Sequence, residues 1–95
     1  MMQTFLVCYD IADPKRLRKV AGICEDFGYR KQKSVFIVRL GATDTVRLRT
    51  RLYEAIDLTD DQVLFVPVCQ ACLTKIEALG QPTDPPAATD IVMVV

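Results

Sequence analysis

Asp10 ends the first apolar segment of the chain, and its carboxylate is the first side chain whose position could carry chemistry. The sequence contains no histidine, which removes imidazole acid–base catalysis and every nucleophile that depends on a histidine. Catalysis would therefore rest on carboxylates, lysines, tyrosines or a metal ion. A carboxylate at the end of a strand can bind Mg²⁺, although an aspartate there can equally form a turn or cap the helix that follows.

Cysteines provide a second set of candidate ligands. Cys69 and Cys72 form the only C-x-x-C pair, and a zinc site would need two further ligands. The other two cysteines are Cys8, within an apolar strand pattern, and Cys24, on the apolar face of a helix pattern. We therefore expect reduced thiols without structural zinc: two small core residues and one pair in a loop.

The charged residues are unevenly distributed along a chain of zero net charge. Residues 14–51 contain eleven Lys and Arg side chains and three acidic ones, whereas the remaining residues contain one basic and nine acidic side chains. Such asymmetry is typical of a protein that binds a polyanion, and two ordinary solvated helix faces would produce the same counts. If a phosphate backbone is bound here, the residues that we expect to contact it are Arg16, Arg18, Arg30, Arg47 and Arg51.

Two elements are predicted before residue 29. Residues 3–10 alternate as a strand with apolar side chains on both faces, which is typical of a central strand. Asp13 and Pro14 are favoured residues for the start of a helix, and Gly28 is expected to end that helix as a left-handed C-cap. The predicted inward face of the helix contains Leu17, Val20, Ala21, Cys24 and Phe27.

The next two elements are an extended segment and a second helix. Residues 30–40 are extended, and a bulge or tight turn near residues 32–34 would divide them into two strands. Thr43 can cap a helix that continues to about Ile56. The predicted inward positions of this helix are Leu48, Leu52, Ala55 and Ile56.

Four segments follow the second helix. Residues 62–68 predict a strand at a sheet edge, because Pro67 cannot donate to a ladder of hydrogen bonds. Residues 69–79 fit either a helix or a strand. A Pro-rich loop over residues 80–89 then leads to an apolar strand over residues 90–95, which we expect to add to the sheet edge of a partner.

This order of elements predicts an α+β ferredoxin-like sandwich, βαββαβ with an extra C-terminal strand, in which two helices cover one face of an antiparallel sheet. We assign residues 1–80 to this domain and residues 81–95 to the Pro-rich loop and the strand that pairs with a partner protomer. The bare second face and that strand predict a two-fold dimer. The sequence has neither a membrane span nor a signal peptide, so we expect a cytoplasmic protein without membrane contact.

Several short motifs occur in a specific order along the chain. Tyr9-Asp10-Ile11 is followed by the basic stretch DPKRLRKV over residues 13–20, and residues 28–36 are GYRKQKSVF. Later positions of the same pattern are Asp57, Asp61, Pro67, Ile76, Glu77 and Gly80. At these spacings the motifs resemble the CRISPR-associated protein 2 family over essentially the whole chain. The family often has an acidic residue where Ile37 stands here, which puts any role of that acid in doubt.

The resemblance implies a homodimer of the CRISPR adaptation machinery, with metal-dependent endonuclease activity on RNA or DNA. It also implies a partnership with the CRISPR integrase, CRISPR-associated protein 1. Asp10 matches the metal-binding aspartate of the family, which implies a catalytic role for Asp10 with Mg²⁺ or Mn²⁺ as the cofactor. The other positions that match functionally important ones in relatives are Arg16, Arg18, Arg30 and Phe36, and Tyr9 of the opening motif is expected to support the site.

Three functions are compatible with these residues. In an enzyme, two copies of Asp10 would meet across the dimer axis and share one metal ion with water, since one carboxylate per chain supplies too few ligands. In a scaffold, the basic segment would bind duplex DNA, the dimer would bind the integrase, and Asp10 would be vestigial or structural. A small-ligand regulatory domain with the same fold is the third possibility, and it would not require the basic segment.

Overall fold

A four-stranded antiparallel sheet with the order β2-β3-β1-β4 forms the frame of the protein, seen here in a computed structural model that describes residues 1–80. Its strands are β1 (Gln3–Asp10), β2 (Gly28–Gln32), β3 (Val35–Leu40) and β4 (Gln62–Val68). The helices are α1 (Pro14–Glu25), α2 (Ala42–Ala55) and the short α3 (Gln70–Thr74). The predicted α+β order βαββαβ is confirmed, as is the central position of β1. The predicted C-terminal strand and most of the Pro-rich loop lie outside the described residues.

Alternation along β1 separates the two faces of the sheet. Phe5, Val7 and Tyr9 are buried against α1 and α2, whereas Leu6 and Cys8 point to the second face. Because apolar side chains alternate with a period of two, one strand supplies both faces. The core between the helices and the sheet is completed by Val20, Ile23, Cys24, Phe36, Val38, Leu40, Leu48 and Leu52.

Helix α1 begins as the sequence predicts. The Asp13 carboxylate accepts a hydrogen bond from the backbone N–H of Arg16 at 2.9 Å, and Pro14 is the first helical residue. The prediction of Leu17 on the inward face is wrong, because its side chain is 38% exposed. The buried stripe is centred one turn further along the helix, where Ile23 is buried beside Val20 and Cys24.

Gly28 does not cap α1, which corrects the prediction of a left-handed C-cap at this residue. Asp26 is the C-cap of α1 with right-handed backbone angles, and within residues 1–80 the only residue with a positive φ is Gly80. Gly28 begins β2, and a Cβ atom there would overlap the backbone oxygen of Ile37 in the neighbouring strand. The glycine is therefore required by close approach of two backbones rather than by a left-handed cap.

The middle of the chain follows the predicted elements with one correction. The extended segment divides at Lys33 and Ser34 into β2 and β3, with an irregular register between Arg30 and Gln32. The prediction that Thr43 caps α2 is wrong, because Gly41 is the N-cap. The Thr45 hydroxyl donates to the Gly41 carbonyl at 2.8 Å. Of the predicted inward residues, Leu48 and Leu52 are buried, and Ala55 and Ile56 pack partly buried against the core.

The second face of the sheet is partly covered by the chain itself, which corrects the prediction of a bare face. Residues 69–79 contain only the short α3, and Leu73 of this helix packs with Ile37 on the second face. Leu64 and Val66 of β4 remain 50% and 41% exposed. Within residues 1–80, β4 is an edge strand, as Pro67 predicts. None of the helices in this part of the chain is long and apolar enough to span a membrane.

Candidate metal position and nucleic-acid interface

Asp10 is the last residue of β1 and lies opposite Gln62, the first residue of β4. Its side chain is exposed on the second face of the sheet, which it shares with Leu6 and Cys8. The N-cap of α1 is Asp13, so Asp10 is not the capping residue. Within residues 1–80 no hydrogen bond or ion pair engages the Asp10 carboxylate, which leaves both of its oxygens available to a cation.

A complete metal site is not present in the part of the chain that the structure describes. No cluster of three or more Cys, Asp or Glu side chains there could surround an ion. Mg²⁺ is commonly held by one or two carboxylates, with water in the remaining positions. Asp10 fits this chemistry as one ligand.

Asp61 organises the loops next to Asp10. Its carboxylate, which is fully buried, accepts hydrogen bonds from the backbone N–H groups of Ala12 at 2.9 Å and Asp57 at 2.8 Å. It also accepts from the Nε and Nη2 atoms of Arg16, at 2.7 and 3.2 Å. Asp61 thereby joins the β1–α1 connection, α1 and the α2–β4 connection. The connection that begins after Asp10 is fixed by this carboxylate.

The hydrogen bonds at Asp61 set its charge state. Those from the Arg16 guanidinium, followed by those from the backbone of Asp57 and Ala12, hold the pKa of Asp61 well below its ordinary value. The same pairing raises the pKa of Arg16. Asp61 is therefore ionised and forms an ion pair with Arg16. The Arg16 side chain is 30% exposed. A nucleic-acid contact by Arg16 stays a prediction.

Tyr9, Arg30 and Phe36 form a cluster beside the β2–β3 turn. The rings of Tyr9 and Phe36 are stacked with centroids 6.2 Å apart, and the Arg30 guanidinium lies 5.1 Å from the Phe36 centroid. The Tyr9 hydroxyl and the Nη1 atom of Arg30 both donate to the Lys33 carbonyl, at 3.2 and 3.0 Å. Burial raises the pKa of Tyr9. This cluster belongs to the helix-facing side of the sheet, so it lies on the opposite side from Asp10.

The remaining predicted arginines lie on the two long helices. Arg18 is exposed on α1, and no described residue pairs with it. Arg47 makes an exposed ion pair with Asp44 at 3.4 Å within α2. Arg51 reaches from α2 to Asp26 at the end of α1, at 3.1 Å. Exposed pairs of this kind contribute little to stability, so these arginines can exchange their partners for phosphates.

A shallow groove of about 350 Å³ separates the two helices. Lys19 and Gly22 line it from α1, and Arg51 and Glu54 line it from α2. Together with Arg18 and Arg47 this outer layer carries exposed positive charge across both helices. We call the outer surface of α1 and α2, with Lys15, Arg18, Lys19, Arg47 and Arg51, the basic helix layer.

The structure thus divides the predicted site residues among separate places. Asp10 lies at the sheet end, and Tyr9 and Phe36 lie with Arg30 at the β2–β3 turn. Four arginines lie on the helices: Arg16, Arg18, Arg47 and Arg51. The organising role of Asp61 was missed from the sequence, because its partners are 45 and 49 residues away for Arg16 and Ala12. In the sequence, the importance of Asp61 is indicated by its match to a position of the family motif.

Two helices packed on one face of a four-stranded antiparallel sheet define a small α+β sandwich, with a basic layer on the helices and an exposed carboxylate at the end of the first strand. The chain belongs to the Cas2 family, because residues 2–76 match the family described as "CRISPR associated protein Cas2". The predicted resemblance is confirmed.

Individual relatives agree with this assignment. The Synechocystis protein named CRISPR-associated endoribonuclease Cas2 3 is 33% identical over 89 residues, which cover 92% of this chain and 97% of the relative. The crystal structure of Streptococcus pyogenes Cas2 at pH 6.5 has a TM-score of 0.75 and 36% identity, covering 84% of this chain and 100% of that one.

A more distant chain supports the fold alone. It comes from a structure titled "Partial Cas6-RT-Cas1--Cas2 complex" and has a TM-score of 0.68 at 22% identity. The match covers 95% of this chain and 99% of that one. The ferredoxin-like arrangement is therefore shared across a wide range of sequence divergence.

Proposed function

We propose that this chain is an adaptation protein of a CRISPR system, which forms a homodimer and cleaves phosphodiester bonds of RNA or DNA with Mg²⁺ or Mn²⁺. The observation that carries the proposal is the Asp10 carboxylate, exposed at the end of β1 without a partner in residues 1–80. The names of relatives such as the Synechocystis endoribonuclease support the type of reaction.

A shared site explains how one carboxylate per chain suffices. Two copies of Asp10 that meet across a two-fold axis would supply two ligands, and water would fill the remaining positions. A divalent ion held there would stabilise negative charge at the phosphate and make a bound water more acidic. The task of Asp10 is to hold and orient the ion. Asp61 supports this task by fixing the connection that follows Asp10 at the Ala12 N–H.

The exposed part of the second face supports the dimer. Leu64 and Val66 are apolar and lie on the same face as Asp10, at the edge strand β4. Burial of such side chains between two copies would be favourable by roughly 25 cal/mol for each Å² of apolar surface removed from water. The strand predicted over residues 90–95 would add to the interface, and its pairing stays a prediction.

The basic helix layer supports nucleic-acid binding. Lys and Arg side chains on a surface bind phosphates through charge, without reading the base sequence. Arg18 is exposed without a described partner, the Arg47 side chain is 69% exposed, and Arg51 adds to the layer beside the groove. Binding and cleavage would therefore depend on different residues, which makes them separable by substitution.

A scaffold is the second candidate function. The basic helix layer favours it, since exposed side chains such as Arg18 and Arg47 can bind phosphates without any catalytic residue. In this alternative the dimer holds nucleic acid and the Cas1 integrase, and Asp10 has no catalytic task. No observation on residues 1–80 favours a small-ligand regulatory domain over these two functions.

Cleavage assays with purified full-length protein separate the two candidates. Single-stranded RNA and duplex DNA are incubated with Mg²⁺, with Mn²⁺ or with EDTA, and the Asp10→Asn variant is measured beside the parent protein. Asparagine keeps the size of aspartate and removes its charge. The exposed Glu77→Gln variant is the matched control, since it removes one surface carboxylate elsewhere.

If the chain is a metal-dependent nuclease, EDTA and Asp10→Asn should each abolish cleavage. Glu77→Gln should cleave like the parent, and Asp10→Asn should still bind nucleic acid. If Asp10→Asn cleaves as well as the parent, the activity belongs to another site. The scaffold is the function if neither nucleic acid is cleaved, the parent protein binds Cas1 in a pull-down, and Asp10→Asn binds Cas1 equally well.

A further inference from the structure

Cys69 and Cys72 stand together where the edge strand ends and α3 begins. Cys69 directly follows the last residue of β4 and is the N-cap of α3, and Cys72 lies in the same turn. Both cysteines are exposed. The other thiols are protected, since Cys24 is completely buried in the core and Cys8 is half-buried in β1.

The local geometry turns one sulfur toward the other residue. The backbone N–H of Cys72 donates to the Sγ atom of Cys69 at 3.4 Å, so the Cys69 side chain folds back over the first turn of α3. Disulfides join residues whose Cα atoms are roughly 4.4–6.8 Å apart, a separation that one helical turn provides. Sulfur is also a weak acceptor compared with the oxygens that usually cap helices, so capping alone does not account for a cysteine here.

The two thiols differ in reactivity. The hydrogen bond from the Cys72 backbone lowers the pKa of Cys69, and a hydrogen bond from the Cys72 thiol to the Cys69 sulfur raises the pKa of Cys72. The thiolate is the form that attacks disulfides. At a given pH, Cys69 therefore has the larger thiolate fraction and is the better nucleophile toward a disulfide. Cys72 lies in the same turn, close enough to attack a mixed disulfide formed on Cys69.

We propose that Cys69 and Cys72 are a reversible thiol–disulfide site, oxidised by low-molecular-weight disulfides. The Cys69 thiolate attacks one sulfur of a disulfide RSSR, which forms a Cys69–S–S–R bond and releases RS⁻. Cys72 loses its proton and attacks the Cys69 sulfur, which forms the Cys69–Cys72 bond and releases a second RS⁻. In sum two protein thiols are oxidised and one RSSR is reduced to two RSH.

The site is coupled to the second face of the sheet. Leu73 follows Cys72 in α3 and packs with Ile37 on that face. A disulfide across the first turn would fix the start of α3 and hence the position of Leu73. The inference rests on the two cysteines and is independent of the proposed nuclease function.

The test equilibrates the full-length protein with mixtures of oxidised and reduced glutathione, blocks the remaining thiols with iodoacetamide, and maps all four cysteines by mass spectrometry. Folding is checked by circular dichroism under the same conditions. The variants Cys69→Ser and Cys72→Ser are treated in parallel, and Cys8 and Cys24 serve as internal controls in every sample.

The expected product is an intrachain Cys69–Cys72 disulfide, a mass loss of two hydrogens that reduced glutathione reverses. Cys72→Ser should accumulate glutathione on Cys69, and Cys69→Ser should react more slowly at Cys72. The proposal is overturned if both cysteines of the parent end as separate glutathione adducts, if only interchain disulfides form, or if neither cysteine reacts while the protein is folded.

Discussion

Asp61 accepts hydrogen bonds from three parts of the chain, whereas Asp10 accepts none within residues 1–80. The two aspartates lie near the same end of the sheet, since Asp61 directly precedes Gln62 and Asp10 faces Gln62 across the β1–β4 pair. A buried, fully bonded carboxylate stabilises the native structure, and an exposed one is available to a ligand. The first is therefore a structural residue and the second a candidate site residue.

We expect stability at acid pH to depend on Asp61. Its native pKa lies below the unfolded value of about 3.9, so its contribution is complete above that value and is lost as the pH falls through the native pKa. Asp61→Asn should lower the free energy of unfolding at pH 7 and weaken its dependence on pH between about 5 and 3. Urea unfolding at several pH values measures both effects.

Asp60→Asn is the control for this prediction, since Asp60 is exposed in the same loop and its side chain makes no described hydrogen bond. It should leave the pH dependence almost unchanged. Parallel pH profiles for Asp61→Asn and the parent protein would show that the Asp61 contacts do not set acid stability.

At the residue scale the sequence predicted that Asp10 ends the first strand and that Asp13 caps the helix that follows, since both are consequences of local patterns. It could not predict that Arg16 is bound by Asp61. That contact joins two residues 45 positions apart, and it depends on how the two connections are brought together by β1 and β4. The charge of an arginine in the sequence does not indicate whether a partner already occupies it.

Replacing Gly28 or Gly22 with alanine should change the free energy of unfolding in opposite directions. A Cβ at Gly28 would overlap the Ile37 backbone oxygen, whereas one at Gly22 in α1 would meet nothing within 4 Å. Gly28→Ala should destabilise the protein by about 1–3 kcal/mol, because the backbones of β2 and β3 must separate. Gly22→Ala should stabilise it by about 0.5–1 kcal/mol, since glycine is unfavourable inside a helix.

Chemical denaturation of both variants beside the parent gives the two free energies directly. Equal effects of the two substitutions would contradict the close contact between β2 and β3. A stabilised Gly28→Ala variant would be a still clearer contradiction.

The basic helix layer predicts salt-dependent binding of nucleic acid. Replacing Arg18 and Arg47 together with glutamine should weaken the binding of duplex DNA and reduce the slope of log affinity against log salt by up to about 2, roughly 0.9 for each phosphate that the protein no longer neutralises. Fluorescence anisotropy at several salt concentrations measures this slope. Lys75→Gln, at the one basic residue outside residues 14–51, is the control.

If Lys75→Gln weakens binding as much as the double substitution, the helices do not form the phosphate track. A slope that the double substitution leaves unchanged would lead to the same conclusion.

At the scale of elements the alternating and helical patterns sufficed for the four strands and the two long helices. The predicted C-cap role of Gly28 failed because the requirement comes from Ile37 on a neighbouring strand, which sequence periodicity does not contain. Residues 69–79 were ambiguous for a similar reason. Their short helix is defined by packing of Leu73 on the second face of the sheet, a tertiary contact.

At the scale of the whole molecule, residues 1–80 present two different surfaces, a basic helix layer and a second sheet face with exposed apolar residues. The second surface predicts the homodimer. Leu64→Lys should shift the protein toward monomer in sedimentation velocity, because a charge would be buried at the interface. Since Leu64 is already half exposed, the variant should remain folded. Val46→Lys on the exposed side of α2 is the matched control and should leave the dimer intact.

A full-length parent protein that sediments as a stable monomer would contradict the dimer. Leu64→Lys and Val46→Lys variants that both sediment like a dimeric parent would contradict the placement of the interface on the second face. Loss of the dimer should also remove cleavage, because a single Asp10 supplies too few ligands for the metal ion.

The proposal that two copies of Asp10 share one metal ion is tested most directly by the activity of dimers that contain one parent chain and one Asp10→Asn chain. Two different affinity tags on coexpressed chains allow these mixed dimers to be purified, and their Mg²⁺-dependent cleavage is compared with that of parent dimers tagged in the same way. If the two copies of Asp10 share one metal ion, the mixed dimer should be as inactive as the dimer of two Asp10→Asn chains. If each chain carries its own site, the mixed dimer should keep about half of the parent activity, and that result would contradict the shared site.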